Sequence, residues 1–287
     1  MRPDNLKTKI FLDGGDPNET QDAINMLGFL DGQTTNPTLI SKNPKAAEKL
    51  SKEGKFTKQE VLQFYKDIVT EISRLIPNGS VSIEVPADKN TKMEQMLQMS
   101  KEMFSWIPNA HIKFPITKEG LAAAEQAARE GIRINMTLCF TQEQAAAVYT
   151  ATKGSQDIFI SPFVGRLDDT LENGMDLIKN ILQMFKESDH HVKVLTASVR
   201  SLNHFLFALS LGSDIITAPY KILKEWVEEG LPIPGNDFVY SANNLISIPY
   251  QDLDLSKNWQ EFNINHKLTD AGLGKFSSDW NALMHGN

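Results

Sequence analysis

The sequence has very little cysteine and no long hydrophobic run. Its 287 residues include one cysteine, Cys139, which excludes a disulfide within the chain and is typical of a reducing compartment. No run approaches the roughly 18 consecutive apolar residues that a membrane span needs. The N-terminal residues lack the apolar segment of a signal peptide and turn directly into a strand pattern. We therefore expect a cytoplasmic protein with no membrane partner.

An excess of basic residues and clustered histidines are also missing. The net charge of −7 argues against a nucleic-acid partner, although it permits a local basic pocket for a small anion. The six histidines are scattered, and His190 and His191 lie together in a polar stretch, so the sequence predicts no metal site. No glycine-rich nucleotide-binding loop follows any candidate strand, which disfavours the nucleotide-binding open sheets.

Short apolar segments alternate with longer amphipathic ones along most of the chain. Strands are predicted at 9–14, 32–36, 80–85, 111–116, 133–140, 157–164, 193–199 and 214–220. The segments between these strands have apolar residues at helical spacing, which predicts helices, most clearly at 58–76, 118–130 and 141–151. Eight strand–helix units predict a (β/α)8 barrel, and a doubly wound open sheet is the alternative.

The C-terminal part of the sequence departs from this alternation. The stretch 230–244 has the composition of a loop, and 268–284 has the pattern of one more helix outside the eight units. We therefore expect residues 1–287 to form a single barrel domain, with 231–287 as a C-terminal loop and helix extension.

Polar residues interrupt four of the predicted strands, on the face opposite to the apolar one. Lys113 alternates with Ile112 and Phe114, and the same phasing turns Asp13 and Glu84 toward the barrel interior. Asn135 and Thr137 also point inward, from the fifth strand. These five polar groups converge near the C-terminal strand ends, where the active sites of such barrels lie.

Lys113 is the candidate nucleophile among these residues. An amine buried away from water favours its neutral form, which can attack a carbonyl and form a Schiff base that stabilises a neighbouring carbanion. Asp13 and Glu84 would supply the carboxylates for proton transfer. Other interpretations stay open: a structural ion pair for Lys113, a turn residue for Asp13, and a satisfied polar layer for Asn135 and Thr137.

Longer motifs follow one another through the whole chain. They are FLDGGD (11–16), TTNPTLI (34–40), SIEVPA (82–87), IKFPITKEGLAA (112–123), GIRINMTLCFTQEQA (131–145), ISPFVGRLDD (160–169), ASVR (197–200) and LTDAGLGKFSSDW (268–280). In this order and spacing the chain resembles the transaldolases, which are class I Schiff-base enzymes on an α/β barrel. The segments around Lys113 and SPFVGRLDD are the most specific of these motifs.

This resemblance implies roles for individual residues. Lys113 would form the Schiff base, Glu84 would act as general acid and base through a water held by Thr137, and Asp13 would exchange protons with substrate hydroxyls. The substrate-binding residues implied are Asn36, Asn135, Ser161, Phe163, Arg166, Ser198 and Arg200, of which Ser198 and the two arginines would bind the phosphate. For Arg166 the alternative is a salt bridge to Asp168 or Asp169.

The reaction implied is transfer of a dihydroxyacetone unit, without a cofactor, in the non-oxidative pentose phosphate pathway. The donor would be sedoheptulose 7-phosphate or fructose 6-phosphate, and the acceptor glyceraldehyde 3-phosphate or erythrose 4-phosphate. The nearest alternative is a fructose-6-phosphate aldolase, in which the resemblance implies glutamine at the position of Glu84 and tyrosine at that of Phe163. A non-catalytic sugar-phosphate sensor would have lost the lysine or a carboxylate. We also expect a homo-oligomer, and the extra residues near 42–57 and 231–265 have no role assigned by the sequence.

Overall fold

Eight parallel strands form a closed barrel whose strand order follows the chain. The computed structural model describes residues 2–235, 237–242 and 244–285. The strands are β1 Lys9–Asp13, β2 Gly32–Thr34, β3 Ser80–Glu84, β4 Ala110–Pro115, β5 Ile134–Cys139, β6 Ile158–Pro162, β7 Val192–Thr196 and β8 Ile215–Ala218. All eight predicted strands are confirmed, and so is the (β/α)8 barrel. Each strand ends one to three residues before its predicted end, because the chain there already turns into the loops that carry the polar residues.

Helices surround this barrel. They are α1 Pro17–Leu27, α2 Pro37–Ser41, α3 Pro44–Lys52, α4 Lys58–Leu75, α5 Met93–Phe104, α6 Lys118–Arg129, α7 Gln142–Ala151, α8 Val164–Asp168, α9 Gly174–Met184, α10 Leu202–Ser210, α11 Tyr220–Glu228 and α12 Lys267–Ala282, with a 3-10 turn at Trp259–Glu261. Side chains at their N-termini account for several of the starts. Thr141 and Gln144, for example, cap the first turn of α7 reciprocally, as the sequence predicts.

Contacts across the barrel confirm which strand residues point inward. The rings of Phe11 on β1 and Phe159 on β6 meet edge to face, with 6.2 Å between their centroids. Phe159 also stacks on His111 of β4 at 4.0 Å, so aromatic rings fill part of the barrel interior. Because side chains alternate along a strand, Ile10 and Leu12 face the surrounding helices, and both are fully buried. Lys113 and Asp13 share the inward phase of His111 and Phe11.

The predicted last helix, α12, lies across the C-terminal end of the barrel. Near its start the Thr269 hydroxyl donates to Leu138 O of β5. Beyond its other end, Phe56 and Leu283 are joined by a backbone hydrogen bond of 2.9 Å. The extra residues near 42–57 therefore hold the end of a helix that covers the barrel mouth. Within the described ranges, no helix is long and apolar enough to cross a membrane.

Candidate active site

A cavity of about 270 Å³ opens at the C-terminal end of the barrel. Eight of the eleven residues predicted for the site line it: Asp13, Asn36, Lys113, Ser161, Phe163, Arg166, Ser198 and Arg200. The other three, Glu84, Asn135 and Thr137, do not line it. A larger groove of about 950 Å³ shares Phe276 with this cavity but contains none of the predicted site residues. The smaller cavity is the candidate active site because it holds the buried lysine.

Lys113 and Glu84 form a buried ion pair beside this cavity. They are register partners on the adjacent strands β4 and β3, and Lys113 Nζ lies 2.8 Å from Glu84 Oε2. The amine also donates to Thr35 O at 2.8 Å. An ion pair of Lys113, the alternative interpretation from the sequence, is therefore present. Lys113 also lines the cavity, so the pair does not exclude a catalytic role. Oε2 is buried, and its short contact with the amine is not an aligned hydrogen bond.

Burial shapes the proton affinity of both carboxyls. The pKa of Glu84 is raised by its removal from water, and the nearby Lys113 opposes this rise only in part. The pKa of Asp13 is raised for the same reason, against the opposing effects of Lys113 and of a 2.7 Å hydrogen bond from the Thr34 hydroxyl. A carboxyl with a raised pKa accepts a proton more readily than an ordinary one. Both residues can therefore take up protons released during chemistry at Lys113.

Tyr65, on α4, is a supporting residue that the sequence reasoning missed. Its hydroxyl accepts a hydrogen bond from the Glu84 backbone N–H at 2.9 Å and lies 2.6 Å from Thr35 Oγ1. It thus joins the two segments that contact the Lys113 amine. The sequence pattern assigns Phe64 to the buried face of α4, whereas Phe64 is half-buried and Tyr65 fully buried. Tyr65 lies four residues after the buried Val61, so the helical spacing of α4 is enough to predict that Tyr65 is buried as well.

Asn135 and Thr137 differ in how their side chains are satisfied. Asn135 donates to Ser82 Oγ at 3.0 Å and accepts from Ser161 Oγ at 2.7 Å, which makes it part of a polar layer inside the barrel. Thr137 Oγ1 is buried and has no hydrogen-bond partner among the described residues. A buried hydroxyl of this kind can hold a water molecule or a substrate oxygen.

The cavity wall near β2 comes from α2 and α12. Asn36 lines it and also caps α2, because its Oδ1 accepts from the Leu39 N–H at 2.9 Å. Lys275 lines the wall as well and pairs with Asp279, whose second oxygen accepts from Thr38. Neither Lys275 nor Thr38 is among the site residues predicted from the sequence. Their place in the wall depends on how α12 packs across the barrel, which local sequence patterns do not reveal.

Arg166 also lines the cavity, and its guanidinium lies against two aromatic rings. Its guanidinium carbon lies 5.4 Å from the ring centroid of Phe163 and 5.4 Å from that of Phe276 on α12. Gly272 allows this approach, because a Cβ there would come within 2.5 Å of Arg166 Nη1. In the described part of the chain, Arg166 makes no salt bridge to Asp168 or Asp169, which was the alternative suggested by the sequence. Partial burial lowers the pKa of this guanidinium, and the group remains a cation.

Arg200 and Ser198 follow β7 on the same side of the cavity. Arg200 forms a two-pronged ion pair with Asp169, in which Nη2 lies 2.7 Å from Oδ2. Ser198 adopts a left-handed backbone conformation (φ 59°), which is uncommon for a residue other than glycine. Its carbonyl accepts from the Gly165 N–H at 3.1 Å. Two guanidinium groups and a serine thus gather at one end of the cavity, as an anion-binding group requires.

Comparison with known proteins agrees with this geometry. The family model described as Transaldolase/Fructose-6-phosphate aldolase matches residues 10–286. A "Probable transaldolase" of Dehalococcoides mccartyi is 33% identical over 276 residues, which cover 96% of this chain and 99% of that protein. One from Anaeromyxobacter dehalogenans is 34% identical over 272 residues, covering 95% of this chain and 96% of its own length.

Other comparisons are shorter or more distant. A "Probable transaldolase" of Brucella melitensis is 38% identical over 227 residues, which cover 79% of this chain and 92% of that protein. Among solved structures, 3-hexulose-6-phosphate synthase from Salmonella typhimurium is 12% identical with a TM-score of 0.48, and it covers 78% of this chain and 99% of its own. A likeness at that level supports no argument about function. The family match, in contrast, covers nearly the whole chain, and this chain therefore belongs to the transaldolase/fructose-6-phosphate aldolase family.

Proposed function

We propose that this protein is a transaldolase that carries a dihydroxyacetone unit on Lys113. The observation that carries the proposal is the buried Lys113, 3% exposed, whose amine lies 2.8 Å from Glu84 Oε2 and which lines a cavity together with two arginines. Such a cavity suits a substrate with a carbonyl at one end and a phosphate at the other. The donor is a ketose phosphate, sedoheptulose 7-phosphate or fructose 6-phosphate.

The first half of the reaction is imine formation. Glu84 takes a proton from the Lys113 ammonium, and the neutral amine attacks the ketose carbonyl carbon, C2. The attacking nitrogen then passes one of its protons to the former carbonyl oxygen, and the Glu84 carboxylic acid returns another. That oxygen leaves as water, which gives a protonated imine and an ionised Glu84. Burial favours the first transfer, because an amine and a neutral acid cost less to bury than two charges. A water held by Thr137 would extend the reach of Glu84.

The second half breaks and remakes a carbon–carbon bond. Asp13 accepts the proton of the C4 hydroxyl, the C3–C4 bond breaks, and its electron pair moves into the imine. The aldose phosphate leaves, and Arg166, Arg200 and Ser198 bind the phosphate of the acceptor aldose that replaces it. C3 then attacks the acceptor carbonyl, whose oxygen takes the proton back from Asp13. Water finally hydrolyses the imine and releases the new ketose phosphate.

Transfer is favoured over simple aldol cleavage by what surrounds the carbanion. Phe163, which lines the cavity with Lys113, offers no hydroxyl to deliver a proton or to orient water. Glu84 is a carboxyl where the resemblance implies glutamine in the aldolases. Because the carbanion is not protonated, it persists on Lys113 until an acceptor aldehyde such as erythrose 4-phosphate or glyceraldehyde 3-phosphate binds. Free dihydroxyacetone is therefore released slowly.

A trapping experiment and a coupled assay test this proposal. Borohydride added with fructose 6-phosphate should attach one reduced dihydroxyacetone unit to Lys113, identified by peptide mass spectrometry. Lys113→Ala should lose the adduct, whereas Lys118→Ala, which removes an exposed lysine of α6, should retain it. Glyceraldehyde 3-phosphate should form rapidly only when erythrose 4-phosphate is added.

Two results would contradict it. An adduct on a lysine other than Lys113, or no adduct at all, removes the covalent mechanism at Lys113. Equal rates with and without the acceptor would assign the chain to the aldolase activity instead.

A further inference from the structure

The two arginines at the cavity differ in what already holds them. Arg166 is in contact with aromatic rings and has neither a hydrogen bond nor an ion pair with any residue that the structure describes. Arg200 instead directs both terminal nitrogens at the carboxylate of Asp169. One cation is therefore free for a ligand, while the other is occupied by an anion of the same chain.

The Arg200–Asp169 pair is placed where it can be displaced. Its side chains are 46% and 55% exposed, so water solvates both charges and the pair is weak. Arg200 lines the cavity, whereas Asp169 lies outside the lining. A phosphate inside the cavity offers more negative charge and more acceptor oxygens than a carboxylate. The guanidinium thus lies between an outer ligand, Asp169, and the position of an inner one.

The Arg200 side chain passes close to the backbone of Gly165 near its charged end. A Cβ at Gly165 would lie 2.5 Å from Arg200 Nε and 2.7 Å from its Cδ. The backbone N–H of Asp169 donates to Gly165 O at 3.3 Å, so both partners of the pair lie at the same turn. The exchange of one anion for the other therefore concerns the two terminal nitrogens of Arg200, which contact Asp169 beyond this turn.

We propose that Asp169 competes with the substrate phosphate for Arg200 and so weakens phosphate binding at this end of the cavity. This inference rests on the proposed function, in which sugar phosphates bind at Arg166 and Arg200. In a transfer reaction two aldose phosphates occupy that end of the cavity in turn, and the first must leave before the acceptor enters. A carboxylate that pairs with Arg200 again as the first phosphate departs weakens product binding and speeds the exchange.

The charge at this end of the cavity follows from the same contact. Asp169 reduces the two positive charges of Arg166 and Arg200 to a net single one. Asp169→Asn keeps the size of the side chain and removes its charge. Glu172→Gln is the matched control, because it removes the same charge three residues away, from a side chain that bonds to Thr170 rather than Arg200.

Calorimetric titration with inorganic phosphate tests the competition without any carbon–carbon chemistry. Asp169→Asn should bind phosphate about three- to five-fold more tightly than the wild type, which is the effect expected for an exposed ion pair. The KM for fructose 6-phosphate should fall by a similar factor. Glu172→Gln should leave both values unchanged. In an Arg200→Ala background, Asp169→Asn should give a much smaller gain, because the two residues act through one contact.

Each contrary outcome has a distinct meaning. If Arg200→Ala weakens phosphate binding but Asp169→Asn does not strengthen it, the proposed competition by Asp169 is wrong. The phosphate site at Arg200 is then still supported. Weaker binding by Asp169→Asn would make Asp169 a residue that orients Arg200, and the proposal would fail. No phosphate binding by the wild type would overturn both this inference and the phosphate site of the proposed function, whereas the Lys113 adduct would still test the chemistry.

Discussion

Lys113 Nζ and Glu84 Oε2 lie 2.8 Å apart with their side chains only 4% and 3% exposed. Neighbouring strands bring the two together, since they are register partners on β4 and β3. A pair so deeply buried is costly to form, and either partner left alone is costlier still. The arrangement therefore suits proton exchange between an acid and an amine better than it suits a purely structural role.

The first prediction concerns stability when this pair is broken. Lys113→Ala leaves Glu84 buried without its cation, so we expect a loss of about 3–5 kcal/mol in the free energy of unfolding at pH 8. The folded-state pKa of Glu84, already raised by burial, rises further in this variant. The folded form then binds a proton that the unfolded form releases. The destabilisation should therefore be smaller at pH 5 and grow as the pH rises through the folded-state pKa.

Urea unfolding of the wild type and of two variants at several pH values measures this effect. Glu84→Gln combined with Lys113→Ala is the control, because it removes both charges and should show no such growth of the loss with pH. A Lys113→Ala protein that is equally stable at pH 5 and pH 8 would show that Glu84 is not left as an unpaired charge. From the sequence alone, alanine at position 113 is expected to leave no buried group without a partner. The ion pair shows that this expectation is wrong, because Glu84 would lose its partner.

The second prediction compares the two arginines at the phosphate end. Arg200→Ala should raise the KM for fructose 6-phosphate strongly. Arg166→Ala should raise it more, because Arg166 forms no ion pair with a carboxylate of the described residues, whereas Arg200 is paired with Asp169. A charge-assisted hydrogen bond is worth about 1.5–3 kcal/mol, which corresponds to roughly 10- to 100-fold in KM. Unphosphorylated fructose should be affected far less by either change. Equal losses for both sugars would indicate that the arginines are structural.

The strands and the inward phase of Lys113 could be predicted because they depend on local alternation. Each strand here is an apolar run in which every second residue must pack against helices, so a polar residue in the other phase points inward. Asp13, Lys113 and Arg166 follow from this rule together with the family motifs, and all three line one cavity. The position of a strand and the direction of its side chains can therefore be predicted from the residues of that strand alone.

Contacts that depend on register and on the path of distant segments could not be predicted in this way. The partners of Asn135 come from β3 and β6, and only the barrel register brings Ser82 and Ser161 to its amide. Sequence spacing likewise suggests Arg166 as the partner of Asp169, whereas the loop after β7 brings Arg200 closer. Phe276 reaches the cavity only because α12 crosses the barrel mouth.

The third prediction concerns the acid side of the pH–rate profile. As acceptor of the C4 hydroxyl proton, Asp13 must be ionised, and burial raises its pKa above the ordinary 3.8. A raised pKa keeps the proton on Asp13 to a higher pH, so kcat/KM should fall as the pH drops, with a midpoint above 3.8. Thr34→Val removes the hydrogen bond that favours the ionised form. It should therefore move this midpoint to higher pH.

Initial rates between pH 4 and 8 with one donor and one acceptor measure this shift. The phosphate groups also titrate in this range, but identically for both proteins, so the difference between the profiles belongs to the enzyme. A midpoint that is unchanged in Thr34→Val, or that moves to lower pH, would exclude Asp13 as the titrating base.

The last prediction separates transfer from cleavage through Phe163. Phe163 lines the same cavity as Lys113 and is 8% exposed. Its backbone N–H donates to Cys139 O at 3.0 Å, and its ring makes an edge contact with Phe140. Phe163→Tyr should keep this packing and add a hydroxyl that can donate a proton to the carbanion or hold a water near the imine. A positioned proton donor contributes about 10²–10⁴-fold to such a step.

Release of free dihydroxyacetone from fructose 6-phosphate without an acceptor is the quantity to measure. We expect Phe163→Tyr to raise its rate at least about ten-fold relative to the transfer rate. Phe276→Tyr is the matched control, because it adds the same hydroxyl from α12, on the other ring that contacts Arg166. A similar rise in both variants would show that any added polarity suffices. No rise in Phe163→Tyr would mean that the carbanion is protected by something other than the missing hydroxyl, and the physical reason given for transfer over cleavage would be wrong.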